Sequence, residues 1–291
     1  MRRKVIKLGA NSLLVSLPSS WVKRHGIRKG DEVEMNITPN QVRITSSQAA
    51  RKNTMLVLAD DPTVAARQVK IAYKKGIDEL EVQYNNPKSY SATLAELKNL
   101  IGFEVVESGK TRFKIKNIAT GDAGDFSTVL RRVFLALLEM AESAEEYCRT
   151  GSADAKERVN AAEYNIDRLT DFCKRLLNKQ GADDVAGITY SYSILKDIER
   201  IADSYIGIAQ AKAPKDIVNA LGDARAELRS LYELYYSFDS AKAAKTIERL
   251  KCLNASARAL LRSKNPVVAH HLASIIQMLD EMSWAVCANA M

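Results

Sequence analysis

Apolar residues in the second half of the chain recur at spacings of three and four. In 191–210, SYSILKDIERIADSYIGIAQ, the residues Ile194, Ile198, Ile201, Tyr205 and Ile208 form one stripe. That spacing predicts a long helix with one buried side. The same period runs through Leu130, Val133, Phe134, Leu137, Leu138, Ala141 and Ala144. Punctuation by Gly151, Gly181, Pro214 and Asn265-Pro266 divides 125–291 into six helices, at about 126–150, 152–179, 183–211, 214–238, 240–262 and 266 to the end. Helices of about 25 residues span about 37 Å. Short connections make neighbours antiparallel. Two three-helix units result, 125–212 and 213–291. They form a weak repeat: a displacement of 81 lays Ile275-Ile276 on Ile194-Leu195, Asp280 on Glu199 and Trp284 on Asp203.

The first half has a shorter period. Segments 4–8, 13–17, 32–37 and 41–45 read as strands, with one helical turn at 19–25 opened by Pro18 and closed by Gly26. After a polar linker at 46–53 the order is strand 54–59, helix 62–75, strand 79–84, helix 87–101 and a hairpin of 103–107 with 111–116. That order suits a small α/β sandwich with both helices on one face. It contains no Gly-rich phosphate loop and reads as a structural or dimerising segment. A second linker spans 117–125.

Charge sharpens this division. Of 43 Lys and Arg and 35 acids in the chain, residues 1–53 hold eleven bases against three acids, which is the whole net charge of +8. A basic module is attached to a neutral body, and such asymmetry points to a polyanionic partner. Four strands and a helical turn in about 45 residues cannot bury a stable core alone, so the module is expected to oligomerise. No run of 18 apolar residues appears, and no apolar stretch follows the basic start. The chain is therefore read as cytoplasmic, without membrane insertion. Cys148, Cys173, Cys252 and Cys287 are widely spaced and read as buried free thiols. His25, His270 and His271 offer no metal or triad spacing.

The segment KLGANSLLVSLPSSWVKRHGIRKGDEVEMNITPNQVRIT resembles the AbrB/SpoVT/MazE-type swapped-hairpin domain over residues 3–46. The shared features are the strand, the turn, a second strand ending in Leu-Pro, the short helix ending in Gly-Ile, and Lys-Gly-Asp-Glu-Val. Ala10 is an extra residue in the turn. The resemblance implies a homodimer of interleaved chains whose paired basic ends bind DNA. By position that role falls on Arg2, Arg3, Lys4, Lys7, Asn11 and Ser12. Lysine and arginine neutralise phosphates, and asparagine reads adenine edges. The same residues could instead only solubilise an edge strand, and the domain also serves oligomerisation or toxin pairing.

Two carboxylate pairs lie in the helical half. Glu199 and Asp203 share a face of the third helix, Glu163 and Asp167 share one on the second, and Asp197 points elsewhere. Such acids are usually a solvated rim, here with Arg168, Lys196 and Arg200 within pairing distance along the helix. Crowded and unpaired, they would repel one another and their pKa values would rise. The sequences Glu163-Tyr-Asn-Ile-Asp167 and Asp197-Ile-Glu199-Arg200-Ile201-Ala202-Asp203 resemble the acidic signatures of the PhoU family, over residues 125–291. AbrB-like and PhoU-like parts in one chain resemble archaeal PhoU-like phosphate uptake regulators. The resemblance implies a metal cluster on Glu163, Asp167, Glu199 and Asp203, with Asp171 an outer member. Iron is the family's metal; the all-oxygen donor set also suits Mg²⁺, Mn²⁺ or Ca²⁺. One site is expected rather than two, because Trp284 replaces an acid and the fifth helix offers only Glu248.

The expected fold is thus multidomain. An all-β AbrB-like domain at 1–46 precedes a small α+β domain at 54–117, and an all-α PhoU-like body of two repeats, 125–212 and 213–291, completes it. The expected function is a phosphate-homeostasis regulator that binds DNA and regulates transcription. Its body would act on phosphate transport, with a transporter or its signalling proteins as partner. No catalytic residue is assigned and the chain is not read as an enzyme. The alternatives are a metal-cluster helical-bundle enzyme, against which the Glu-x-x-His motif of di-iron bundles is absent, and an antitoxin-like module with a protein partner.

Overall fold

The computed structural model describes residues 2–8, 12–38, 41–46, 54–58, 60–118, 125–180, 185–211, 217–260 and 265–290. The chain divides into two compact units, 1–55 and 56–291.

The first unit contains two hairpins. Strand β1 (Val5–Leu8) pairs antiparallel with β2 (Ser12–Val15), Val5 opposite Val15 and Leu8 opposite Ser12. Strand β3 (Val33–Thr38) pairs antiparallel with β4 (Gln41–Ser46). Between the hairpins lies the single helical turn α1 (Ser19–Arg24), which follows Pro18 and leads to Gly26 at φ 63°. The expected turns at 9–11 and 39–40 fall outside the described residues.

The chain continues with β5 (Thr54–Leu58), in which the boundary falls, then α2 (Pro62–Lys74), β6 (Glu79–Gln83), α3 (Pro87–Leu97), β7 (Phe103–Ser108) and β8 (Arg112–Asn117). Both helices start as the sequence indicates. The Asp61 carboxylate accepts from the Thr63 and Val64 amides at 2.9 Å, and Asn86 accepts from the Lys88 amide at 2.9 Å. Helix α3 ends at Leu97, before the expected 101. The amides of Asn99 and Leu100 bond three residues back, and this tightening buries Leu100. The sheet order is β5-β6-β8-β7. Leu80 opposes Ile115 and Val82 opposes Phe113 on the buried face. Glu79 and Lys116 meet on the other face at 2.8 Å. The alternation of each strand therefore sets which side receives α2 and α3.

Six helices follow: α4 (Asp125–Thr150), α5 (Ala153–Gln180), α6 (Val185–Gln210), α7 (Val218–Tyr236), α8 (Ser240–Leu260) and α9 (Pro266–Asn289). They pack as two triplets, α4–α5–α6 and α7–α8–α9, joined where α6 meets α9 and α4 meets α7. The proposed starts at Pro214 and stops at Gly181 fall outside the described residues. Over 194–205 and 275–286 the order of buried, half-buried and exposed positions is identical, residue for residue. Gly207 allows the two helices to close, since a Cβ there would overlap the His271 ring. Among the thiols, Cys148 and Cys173 are buried as expected, Cys287 is half-buried and Cys252 is exposed. Cys252 departs from expectation because it lies off the side of α8 on which Ala243, Thr246, Leu250 and Ala257 are buried among the described residues.

The α/β segment is not held apart from the helices. It belongs to the same compact unit, and α2 packs on α5. The fastening is Arg175 of α5, only 1% exposed. Its guanidinium donates to the carbonyls of Tyr73 and Ile77 at 3.0 and 2.7 Å, and to the Asp78 carboxylate. Its faces lie over the rings of Tyr73 and Phe103, 5.0 and 5.2 Å from their centroids. Asn178 donates to the Lys74 carbonyl at 2.7 Å, and Lys179 reaches Asp78 at 2.8 Å. The carbonyls of Tyr73 and Lys74 at the end of α2 thus accept from α5, that of Tyr73 in addition to the Gly76 amide. Gly76, at φ 83°, makes the turn beneath; a Cβ there would lie 2.8 Å from Lys179 Cγ.

Removing this guanidinium takes the donor from the Ile77 carbonyl and a cation from Asp78, and leaves a void between the Tyr73 and Phe103 rings. Arg175→Met is expected to lower stability by about 3 kcal/mol in urea unfolding, while the more exposed Lys179→Met costs under about 1 kcal/mol. Equal small losses would show that Arg175 does not fasten the contact.

Candidate functional site

The basic module is built from side chains with nowhere to bury. Among the described residues of 2–46 not one is buried. Leu13 is 71% exposed and Ile37 72%, and Val5, Ile6, Leu8, Leu14, Val15, Met35 and Val42 are also bare. Each large apolar side chain taken from water is worth roughly 1.5 kcal/mol or more, so this surface calls for a covering partner. Arg2, Arg3 and Lys4 precede β1, and Lys7 lies within it opposite Leu13. All four are exposed, and none pairs with an acid among the described residues. Ser12 begins β2 and is exposed. Asn11 lies outside the described residues. Lys23, Arg24, Arg28 and Lys29 add four exposed bases around α1.

The second candidate is the acidic face where α5 meets α6. Glu199 is fully engaged: Thr170 Oγ1 donates to its Oε1 at 2.8 Å, and the buried Lys174 ammonium contacts its Oε2. Asp171, only 2% exposed, is also engaged. Lys70 and Lys74 of α2 reach its two oxygens at 3.1 and 2.7 Å. Lys70 further approaches Glu96 of α3 at 3.8 Å. Glu163, Asp167 and Asp203 have no hydrogen-bond or ion-pair partner for their carboxylates among the described residues. Their pKa values rise accordingly. Burial, then the neighbouring Glu163 charge, lifts Asp167 from 3.8 to about 6, against the pull of Lys70. Burial and Asp203 raise Glu163, and burial and Glu199 raise Asp203. The four acids therefore do feel one another across α5 and α6.

They do not assemble as metal ligands. The oxygen donor set suits a hard cation. Yet Glu199 is spent on Thr170 and Lys174, and Asp171 on two lysines. Among the described residues, no group of three or more His, Cys, Asp or Glu is placed to hold a metal ion. As they stand, Glu163, Asp167, Glu199 and Asp203 do not fit a cluster.

The neutralising bases also differ from those expected. Arg200 pairs with Asp197 at 3.8 Å and Glu281 at 3.6 Å, on the α9 side of α6. Arg168 lies over the Tyr164 ring at 5.6 Å. The working cations are Lys174, Lys70 and Lys74, together with the Thr170 hydroxyl. A signal for them existed. Lys70 and Lys74 have the same four-residue spacing as Asp167 and Asp171, so each pair presents one face. In the second triplet the position matching Asp203 is Trp284, 76% exposed, and Glu248 is exposed on α8.

The MazE family, described as antidote-toxin recognition MazE, bacterial antitoxin, matches residues 6–52. The N-terminal module is a MazE-type domain. The match ends before the α/β segment and the helices. No curated protein and no solved structure matches the chain. Among the described residues no helix is long and apolar enough to cross a membrane.

The raised Asp167 pKa has a direct consequence. The fold holds this proton up to about pH 6, whereas the unfolded chain releases it near 3.8. Between those values acidification favours the fold, and stability is lost as pH rises through them. Asp167→Asn removes the burden. It should raise stability at pH 7.5 by on the order of 1 kcal/mol, and the gain should shrink at pH 5. Thermal unfolding at the two pH values checks both; a destabilised variant at pH 7.5 refutes the account.

Proposed function

We propose that this chain is a DNA-binding regulator that works as a homodimer through its N-terminal module. The observation that carries the reading is the combination, among the described residues of 2–46, of unburied apolar strands with the unpaired bases Arg2, Arg3, Lys4 and Lys7. A second copy would cover the strands, as MazE-type domains commonly dimerise. The bases, Arg2, Arg3, Lys4 and Lys7 with Asn11 and Ser12 in the turn, would then be doubled on one scaffold and meet phosphates. The reading is of a cytoplasmic, non-enzymatic protein whose output is transcription.

The helical body is proposed to sense or relay phosphate status, alongside a phosphate transporter or its signalling proteins. This part rests on the likeness of 163–167 and 197–203 to PhoU signatures. A metal there would require the carboxylates to rearrange. A second reading, a toxin-type protein partner docking on the basic module, is favoured by the description of the matching family as an antitoxin.

Duplex DNA separates these readings. Affinity measured by fluorescence anisotropy should fall steeply with salt, since each neutralised phosphate contributes about −0.9 to the log–log slope. Arg3→Ala with Lys4→Ala removes two contacts per chain and four per dimer. It should weaken binding about tenfold or more and flatten the slope by about two to four. Salt-insensitive or absent binding would end the DNA reading and leave the protein partner.

A further inference from the structure

We infer that two copies of the chain also join through the α/β segment: β5 pairs edge to edge with β5 of a second copy across a two-fold axis, so that the two four-stranded sheets become one. The inference rests on the homodimer reading above and gives that dimer a second contact outside the N-terminal module.

The order β5-β6-β8-β7 leaves two edge strands among the described residues, β5 and β7. They differ. The register of β7 against β8 shifts between Val105 and Glu107, and Glu104 and Glu107 are exposed on it. Bulges and charges of this kind keep an edge strand from pairing. Two copies of β7 side by side would also set like charges together. Strand β5, Thr54-Met55-Leu56-Val57-Leu58, carries neither charge nor proline. An edge of that composition is open to a further strand.

Alternation along β5 decides what such pairing covers. Val57 points into the core and is 1% exposed, whereas Leu56 and Leu58 are 53% and 58% exposed. The neighbouring strands make the rest of that outer face charged. Glu79 and Glu81 of β6 pair with Lys116 and Arg112 of β8 at 2.8 and 3.7 Å. A partner laid over this face would have to desolvate those ion pairs. Edge pairing leaves them in water and covers the leucines. A two-fold axis normal to the sheet keeps the same face outward in both copies, so the Leu56 and Leu58 row of one copy lies beside that of the other.

The occupant is set by the chain itself. Strand β4 ends at Ser46 and β5 begins at Thr54. The intervening chain reaches at most about 28 Å. Two copies joined through the N-terminal module therefore hold their β5 strands at a high effective concentration for each other. A strand of another protein has no such advantage.

Sedimentation equilibrium of the full chain tests the pairing. Leu56→Lys with Leu58→Lys sets two charges per copy beside their own counterparts, at positions already half in water. The dimer dissociation constant should rise about tenfold or more. Val106→Lys, on the opposite edge and 49% exposed, should leave it unchanged. Thermal unfolding followed by circular dichroism establishes that each variant is folded. If the double variant does not fold, Leu58→Lys alone should raise the constant about threefold. A dimer whose constant the lysines leave unchanged overturns the inference while the N-terminal homodimer stands; a strand of another protein on this edge would give that same result. A chain that stays monomeric at every concentration overturns both.

Discussion

The α2–α5 contact depends on one constraint: charges removed from water must be paired where they lie. Arg175 and Asp171 are both almost wholly buried in the same face of α5, one turn apart. Neither is neutralised by the other. Arg175 finds the Tyr73 and Ile77 carbonyls and Asp78, at and just beyond the end of α2, and Asp171 finds Lys70 and Lys74 in its last two turns. Helix α2 and the turn that follows it thus meet two opposite demands. This fixes its register along α5, because a slide of one turn would set Lys70 against Arg175. The sheet is positioned in turn, since Val69, Ala72 and Tyr73 on the same helix form its core with Leu80, Phe103 and Ile115.

The first unit obeys a different constraint. Its hairpins have their hydrogen bonds but no burial: Val5, Leu13 and Ile37 are as exposed as surface residues. Two-stranded ribbons are marginal in water, and a module of this size gains too little apolar burial to fold alone. Its bare apolar strands call for a covering partner.

Element type and order were legible because periodicity and punctuation agreed. Asp61-Pro62 supplied a cap and a first-turn proline, Pro87 a first-turn proline, and both helices begin there. The stripe Ile194–Ile198–Ile201–Tyr205–Ile208 is buried throughout. Boundaries were less legible where local turns compete, as at Leu97–Leu100. The acidic site was legible as a cluster but not as a site. The pairs along one helix were visible, and their mutual repulsion followed. The partners of Glu199 and Asp171 lie 25 and 97–101 positions away in sequence, on other elements. Local pairing rules pointed to Arg168 and Arg200, which turned to Tyr164 and to Asp197 with Glu281 instead. Long-range ion pairs leave no periodic trace, so only complementary spacing on two helices could have suggested them.

The two triplets show what the acids add. Helices α6 and α9 repeat the same burial order, so packing alone demands neither Asp203 nor Trp284 at the matching exposed position. Freed from the core, that position follows its surroundings. Beside Asp203 lies α5, which bears Glu163 and Asp167 and meets α2 with its two lysines. Trp284, at the matching position of α9, is 76% exposed. An acid costs stability next to other acids unless cations are near. The Lys70 ammonium of α2 offsets part of that repulsion at Glu163 and Asp167 but not at Asp203.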